Sequence, residues 1–136
     1  MLSSLRDEFL SALVEGDAAR ADSVIGEAVR ARLEEAVIYD RVIAPAMRRI
    51  GELWRDGEIT VGDEHLATHI SLRVLALQRE AFRVAHQRAA QRVMLAAVEG
   101  EHHVVGLEMI GNLLAHHGFE VRYLGADLRS NRSRIS

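Results

Sequence analysis

Apolar residues recur at three- and four-residue steps over roughly the first two thirds of the chain, the period of helices that bury one stripe. Leu2, Leu5, Phe9, Leu10 and Leu13 form the first such row, with Ser3 or Ser4 as its N-cap and Gly16 as its stop. Asp17 is placed to cap a second helix running to about Ala31, with Ala18, Ala21, Val24, Ile25 and Val29 turned inward. A third helix is expected from Glu34 to Arg55 on Val37, Val42, Ile43, Met47, Ile50 and Trp54. Pro45 lies inside it and should kink it, because its ring removes an amide donor and crowds the carbonyl four residues earlier. A fourth helix, about Val61 to His86, follows a turn at Gly57. Four helices joined by short connections read as an antiparallel bundle over residues 1–86.

The pattern then changes. After the polar stretch HQRAAQR, Val93 to Val98 is short and continuously apolar, as expected of a parallel strand covered on both faces. EGEHHVVG leads into a helix from Val104 to His117 that Gly118 ends, and Glu120 to Leu124 forms a second strand closed by Leu124-Gly125-Ala126-Asp127. Strand, helix, strand is the opening of a crossover unit. The expected fold class is therefore α/β with a large helical part: a four-helix cap, then a partial parallel sheet over residues 87–136. Two parallel strands and one helix leave a sheet face and an edge open. The expectation is a truncated domain, either part of a longer protein or one that completes its sheet as a homo-oligomer.

Composition narrows the chemistry. The 136 residues are 49% hydrophobic, enough for a core, and include no Cys. That removes disulfides, thiolate metal sites and thiol catalysis, and suits a reducing compartment, so a cytoplasmic location is expected. No apolar run approaches a membrane span, and MLSSLRDEFL has no leader pattern. A net charge of −3 argues against direct nucleic-acid binding, although every basic residue is Arg. With no nucleophile elbow, phosphate-binding glycine loop or paired carboxylates, catalysis by the protein itself is not expected.

Candidate chemistry concentrates in ELWRDGEITVGDEH, residues 52–65. Trp54, alone of its kind, ends one helix, and Glu64-His65 opens the next across a turn containing Gly57 and Gly62. Taken singly these residues have plain explanations: the Trp as core, the acid–His pair as helix capping and solvation, a loop His as a polar, exposed side chain. In the second half, His103 follows strand one, where open α/β sheets bind ligands at the carboxyl ends of their strands.

Glu101-x-His103-x-x-Gly106 resembles the acid-x-His-x-x-Gly signature of cobalamin-binding Rossmann-like domains, and the Gly118 and Leu124-Gly125 spacing fits them. Trp54, nine residues, then Glu64-His65 resembles the adenosylcobalamin-sensing signature of the CarH-type light-dependent regulators of the MerR family, with ELWRDGEI and EHLAT similar beyond it. The resemblance implies cofactor contacts from Trp54, Val61, Glu64, His65, Glu101, His103 and Gly106. His103 would be the lower cobalt ligand, its imidazole oriented by Glu101. Gly106 would admit the corrin close to backbone. Trp54 would shield the upper face, Glu64 would hydrogen-bond the adenosine, and His65 would take the upper cobalt site after photolysis. The implied function is a cobalamin photoreceptor or sensor module, adenosylcobalamin its cofactor, that regulates transcription through light-driven ligand exchange and a change of association state; with no room before Leu5 for the DNA-binding domain that such regulators carry, the effect would need either a separate DNA-binding regulator as partner or a missing N-terminal portion.

Three alternatives stand beside it. Corrinoid carriers of methyltransferase systems share the acid-x-His-x-x-Gly loop and a helical cap. His65 and His69, four apart on one helix, offer a zinc site with His102 or His103, but HLATH lacks the Glu a metalloprotease helix needs. An interaction module that kept the fold without a ligand is the third.

Overall fold

A computed structural model describes residues 1–82, 91–97 and 104–124. The chain divides into two compact units, Met1–Ala76 and Leu77–Ser136.

In the first unit, α1 (Leu2–Glu15) buries Leu5, Phe9, Ala12 and Leu13, one row at helical spacing. It starts before the expected serine caps. Met1 occupies the N-cap position, so Ser3 and Ser4 lie inside the first turn, where Ser4 Oγ donates to Glu8 Oε1. Gly16 stops α1 in the left-handed conformation (φ 69°), which only glycine adopts without strain, and the Asp17 amide returns to the Ala12 carbonyl. Asp17 then accepts from the Arg20 amide at 3.0 Å and caps α2 (Ala18–Arg30). Ala28 is buried in α2, whereas Val29, expected inside, is exposed.

The third helix is continuous through Pro45 but not uniform. It runs as α3 (Glu35–Ile38), a π-helical turn (Tyr39–Ile43) and α4 (Ala44–Arg55). The Ala44 amide reaches back to the Tyr39 carbonyl, five residues away, just before Pro45. Pro45 cannot donate to the Arg41 carbonyl and its ring would press on it, so widening the preceding turn is how the helix accommodates the ring. The wider turn advances less per residue, and the buried row consequently falls on every fourth position: Ile38, Val42, Ala46 and Ile50, all 3% exposed or less. Along α4 the ordinary pitch returns, each four-residue step overshoots a turn by about 40°, and Trp54, two such steps past Ala46, leaves the core at 46% exposure.

The α4 helix ends at Asp56 and Gly57 (φ 75°), with the Glu58 amide on the Leu53 carbonyl. Then α5 (Val61–Phe82) buries Ala67, Ile70, Ser71, Val74 and Leu75. Ser71 Oγ donates to Met47 Sδ at 3.1 Å, and Arg73 pairs with Asp22 at 2.9 Å, tying α5 to α4 and α2. The expected extension of α5 from residue 83 to His86 lies outside the described residues. Within this unit α1 packs on α2, on α4 and on the π turn.

In the second unit, β1 (Gln91–Leu95) and β2 (Phe119–Tyr123) pair in parallel, from Gln91 opposite Phe119 to Leu95 opposite Tyr123. The α6 helix (Val104–His116) joins them and packs on β2. Both strands begin earlier than the apolar pattern suggested. Nor is β1 covered on both faces: Met94 is 57% exposed while Val93 and Leu95 are half-buried. Arg79, in the last turn of α5, lies over the Tyr123 ring at 4.9 Å and donates to the Val121 carbonyl at 3.3 Å. Burial pushes the Tyr123 hydroxyl up to about 12, the Glu108 carboxylate adding to the shift and Arg79 opposing it.

Gly111 makes this packing possible, since a Cβ there would lie 1.9 Å from Tyr123 Oη. Gly51, also mid-helix, has nothing within 4 Å of a built Cβ. Urea unfolding should therefore separate the two. Gly111→Ala is expected to destabilise by about 1–3 kcal/mol through overpacking, whereas Gly51→Ala should gain about 0.5–1 kcal/mol of helix propensity.

Candidate functional site

The turn between α4 and α5 is built by reciprocal capping. Asp63 Oδ2 accepts from the Thr60 amide at 2.9 Å and Thr60 Oγ1 accepts from the Asp63 amide at 3.1 Å. This is a capping box with Thr60 at the N-cap. It holds the Asp63 carboxyl below its ordinary range, the Thr60 amide contributing most. With the cap supplied by Asp63, Glu64 and His65 are released from the capping role that the sequence position offers them.

Glu64 is instead committed to two side chains. Its Oε2 meets His65 Nδ1 at 2.7 Å and its Oε1 accepts from Thr68 Oγ1 at 3.3 Å. An ionised carboxylate only accepts, so His65 Nδ1 donates in this contact, and the neutral form of the ring then carries its lone pair on Nε2. The Glu64 side chain is 23% exposed and that of His65 69% exposed, so the imidazole is open to solvent while its Nδ1 is held. Thr68, the last residue of the EHLAT stretch, takes no role from the motifs; its four-residue spacing from Glu64 on a helix is the signal for this contact.

Trp54 and Val61 stand at the two ends of the same turn. The indole is 46% exposed and Val61 is 52% exposed, so neither belongs to the core. Val61, His65, Thr68 and Leu72 share one stripe of α5 at helical spacing, apart from the buried row of Ala67, Ile70 and Val74. On α4, Met47, Gly51 and Trp54 share a stripe likewise, and the space beside Gly51 is open. A flat macrocycle needs accessible apolar surface with few polar anchors. An exposed indole, an exposed Val, a backbone opened by glycine and one oriented imidazole meet that requirement.

In the second unit, Gly106 lies in the first turn of α6, where a built Cβ meets nothing within 4 Å. Glu101 and His103 fall outside the described residues, as does His102. Among the described residues no three His, Asp or Glu side chains gather into a metal-ligating group, so the His65–His69 pair finds no third ligand there. No described helix is long and apolar enough to cross a membrane.

Comparison with known proteins bears on this arrangement. Residues 5–79 match the family described as the B12 binding domain. The HTH-type transcriptional repressor CarH of Myxococcus xanthus is 32% identical over 121 residues, 88% of this chain and 39% of that protein. A corrinoid protein of Desulfitobacterium hafniense is 23% identical over 96% of this chain and 62% of its own length. The chain thus spans less than two thirds of either relative. The structure of the Methanosarcina barkeri monomethylamine corrinoid protein superposes with a TM-score of 0.67 at 20% identity, over 94% of this chain and 60% of that one.

Two measurements probe the geometry. Trp54→Ala should shift the urea midpoint far less than the roughly 3–5 kcal/mol typical of a buried Trp, because the indole is half outside the core. Asp63, with a folded pKa below its ordinary 3.8, adds stability that is fully present above that value and is lost as pH falls through the folded one. The stability gap between wild type and Asp63→Asn should accordingly close on acidification below that range, and a gap constant with pH would contradict the assignment.

Proposed function

The chain belongs to the B12 binding domain family, and from that premise we propose that it is a cobalamin-binding sensor module responding to light or to the state of its cofactor. One observation carries the reading: a half-exposed indole and a His held by Glu64 at 2.7 Å flank one turn closed by a capping box. Trp54 and Val61 offer the apolar surface on which the upper face of the ring would rest. Glu64 fixes the tautomer of His65 and so presents Nε2 as a ready donor, the arrangement by which carboxylates orient imidazole ligands. The Glu64 carboxylate was expected to hydrogen-bond the adenosine; with both oxygens engaged, its first task in this reading is to aim His65, and any adenosine contact would draw on the remaining lone pairs. In this reading His103, oriented by Glu101, would be the lower cobalt ligand, with Gly106 allowing close backbone approach.

Adenosylcobalamin, when bound, supplies a cobalt–carbon bond that green light breaks. The protein's part is to exclude water with Trp54 and Val61 and to keep His65 poised. A change in what His65 binds would alter the first turns of α5, and with it the association state or the docking of a DNA-binding regulator.

A second reading, corrinoid carrier of a methyltransferase system, is favoured by the likeness to the Desulfitobacterium corrinoid protein. The two diverge at His65, for which a carrier has no need.

The test is to load the full chain with adenosylcobalamin in the dark, desalt it, and record its absorption before and after green light. Retained colour that shifts on illumination is expected, with the shift abolished in His65→Ala while dark binding persists. His103→Ala should weaken binding by about tenfold or more. A His65→Ala spectrum that responds to light as wild type does would favour the carrier, and a colourless protein after desalting would overturn both.

A further inference from the structure

The α4 helix carries a second stripe on the side away from Trp54. Pro45, Arg48, Arg49 and Glu52 recur at three- and four-residue steps, opposite the Met47–Gly51–Trp54 row. They face Arg6, Asp7 and Leu10 of α1 across a groove of about 360 Å³. That size lies at the small end of the range for small-molecule sites.

Its chemistry is uneven in a telling way. Three guanidinium groups and two carboxylates line it, leaving an excess of positive charge in a chain whose net charge is −3. Arg6 is held by Asp7 at 3.4 Å and Arg49 by Glu52 at 3.1 Å. Each acid thereby restrains a guanidinium that already lines the groove. Arg48 makes no hydrogen bond or ion pair among the described residues, so its planar donor fork is uncommitted. Leu10 and the Pro45 ring supply an apolar floor between the charges; proline adds no amide donor there.

We propose that this groove binds a small organic oxyanion, a phosphate monoester or carboxylate with a compact apolar body. Arg48 provides the bidentate contact, Arg6 and Arg49 the flanking charge, and Leu10 and Pro45 the surface for the apolar part. Guanidinium is suited to this role because its fork matches both carboxylate and phosphate geometry. The site is independent of the cobalamin reading, since it uses the opposite side of α4.

Isothermal titration of the full chain at low ionic strength, with phenyl phosphate and benzoate as probes and phenol as the uncharged control, tests the proposal. One saturable site is expected for at least one anion and none for phenol. Which anion binds distinguishes phosphate from carboxylate as the natural head group. Arg48→Gln should weaken binding by about tenfold or more, the loss of a charge-assisted contact, and added salt should weaken it further. Arg122→Gln, an exposed Arg that does not line the groove, should bind as wild type does. Absence of saturable heat with both anions, or unchanged affinity in an Arg48→Gln protein with native circular dichroism, would overturn the proposal.

Discussion

The missing amide of Pro45 is the constraint from which the cap takes its form. A helix that meets this ring must give up a hydrogen bond and relieve a clash, and here it does so by opening the turn from Tyr39 to Ile43. That adjustment keeps the helix unbroken and places Ile38, Val42, Ala46 and Ile50 on one buried row. It also sets the phase with which α4 arrives at its last turn. Trp54 consequently stands beside the core rather than in it, and Arg48 and Arg49 face the α1 groove. A single covalent feature thus governs both faces of the helix on which the proposed functions rest.

The turn that follows divides labour among neighbouring acids. Asp63 satisfies the helix start with Thr60, so Glu64 is left to bind His65 and Thr68. Had Glu64 been the cap, its carboxylate would have been directed at backbone amides and would no longer select the tautomer of His65. Helix capping and the holding of the imidazole are therefore assigned to adjacent residues without competing for one side chain.

The second unit depends on a different device. Arg79 and Tyr123 join the last turn of α5 to β2, and Gly111 gives the Tyr123 ring room against α6. With α6 on β2, the described sheet remains covered on one side only, as the exposure of Met94 shows.

The order and type of elements were legible from apolar spacing, because a buried stripe repeats with the pitch of its element. Asp17 as a cap and Gly16 and Gly118 as stops were equally legible, since their roles depend on residues within a turn of them. The two cobalamin-like motifs were readable as spacings, and the Thr60-x-x-Asp63 box was there to be read beside them. The π turn was not, because Pro45 announces a disturbance without saying whether the helix bends or widens; packing of Tyr39, Val42 and Ile43 against α1 decided that. Nor could spacing tell whether Trp54 is core or surface, a matter of accumulated helical phase. That Glu64 would turn to His65 and Thr68, and that Arg48 would be left without an acid while Arg6 and Arg49 found theirs, came from side chains competing for partners in three dimensions. Local sequence fixes which groups are available, but only the fold determines which of them are already satisfied.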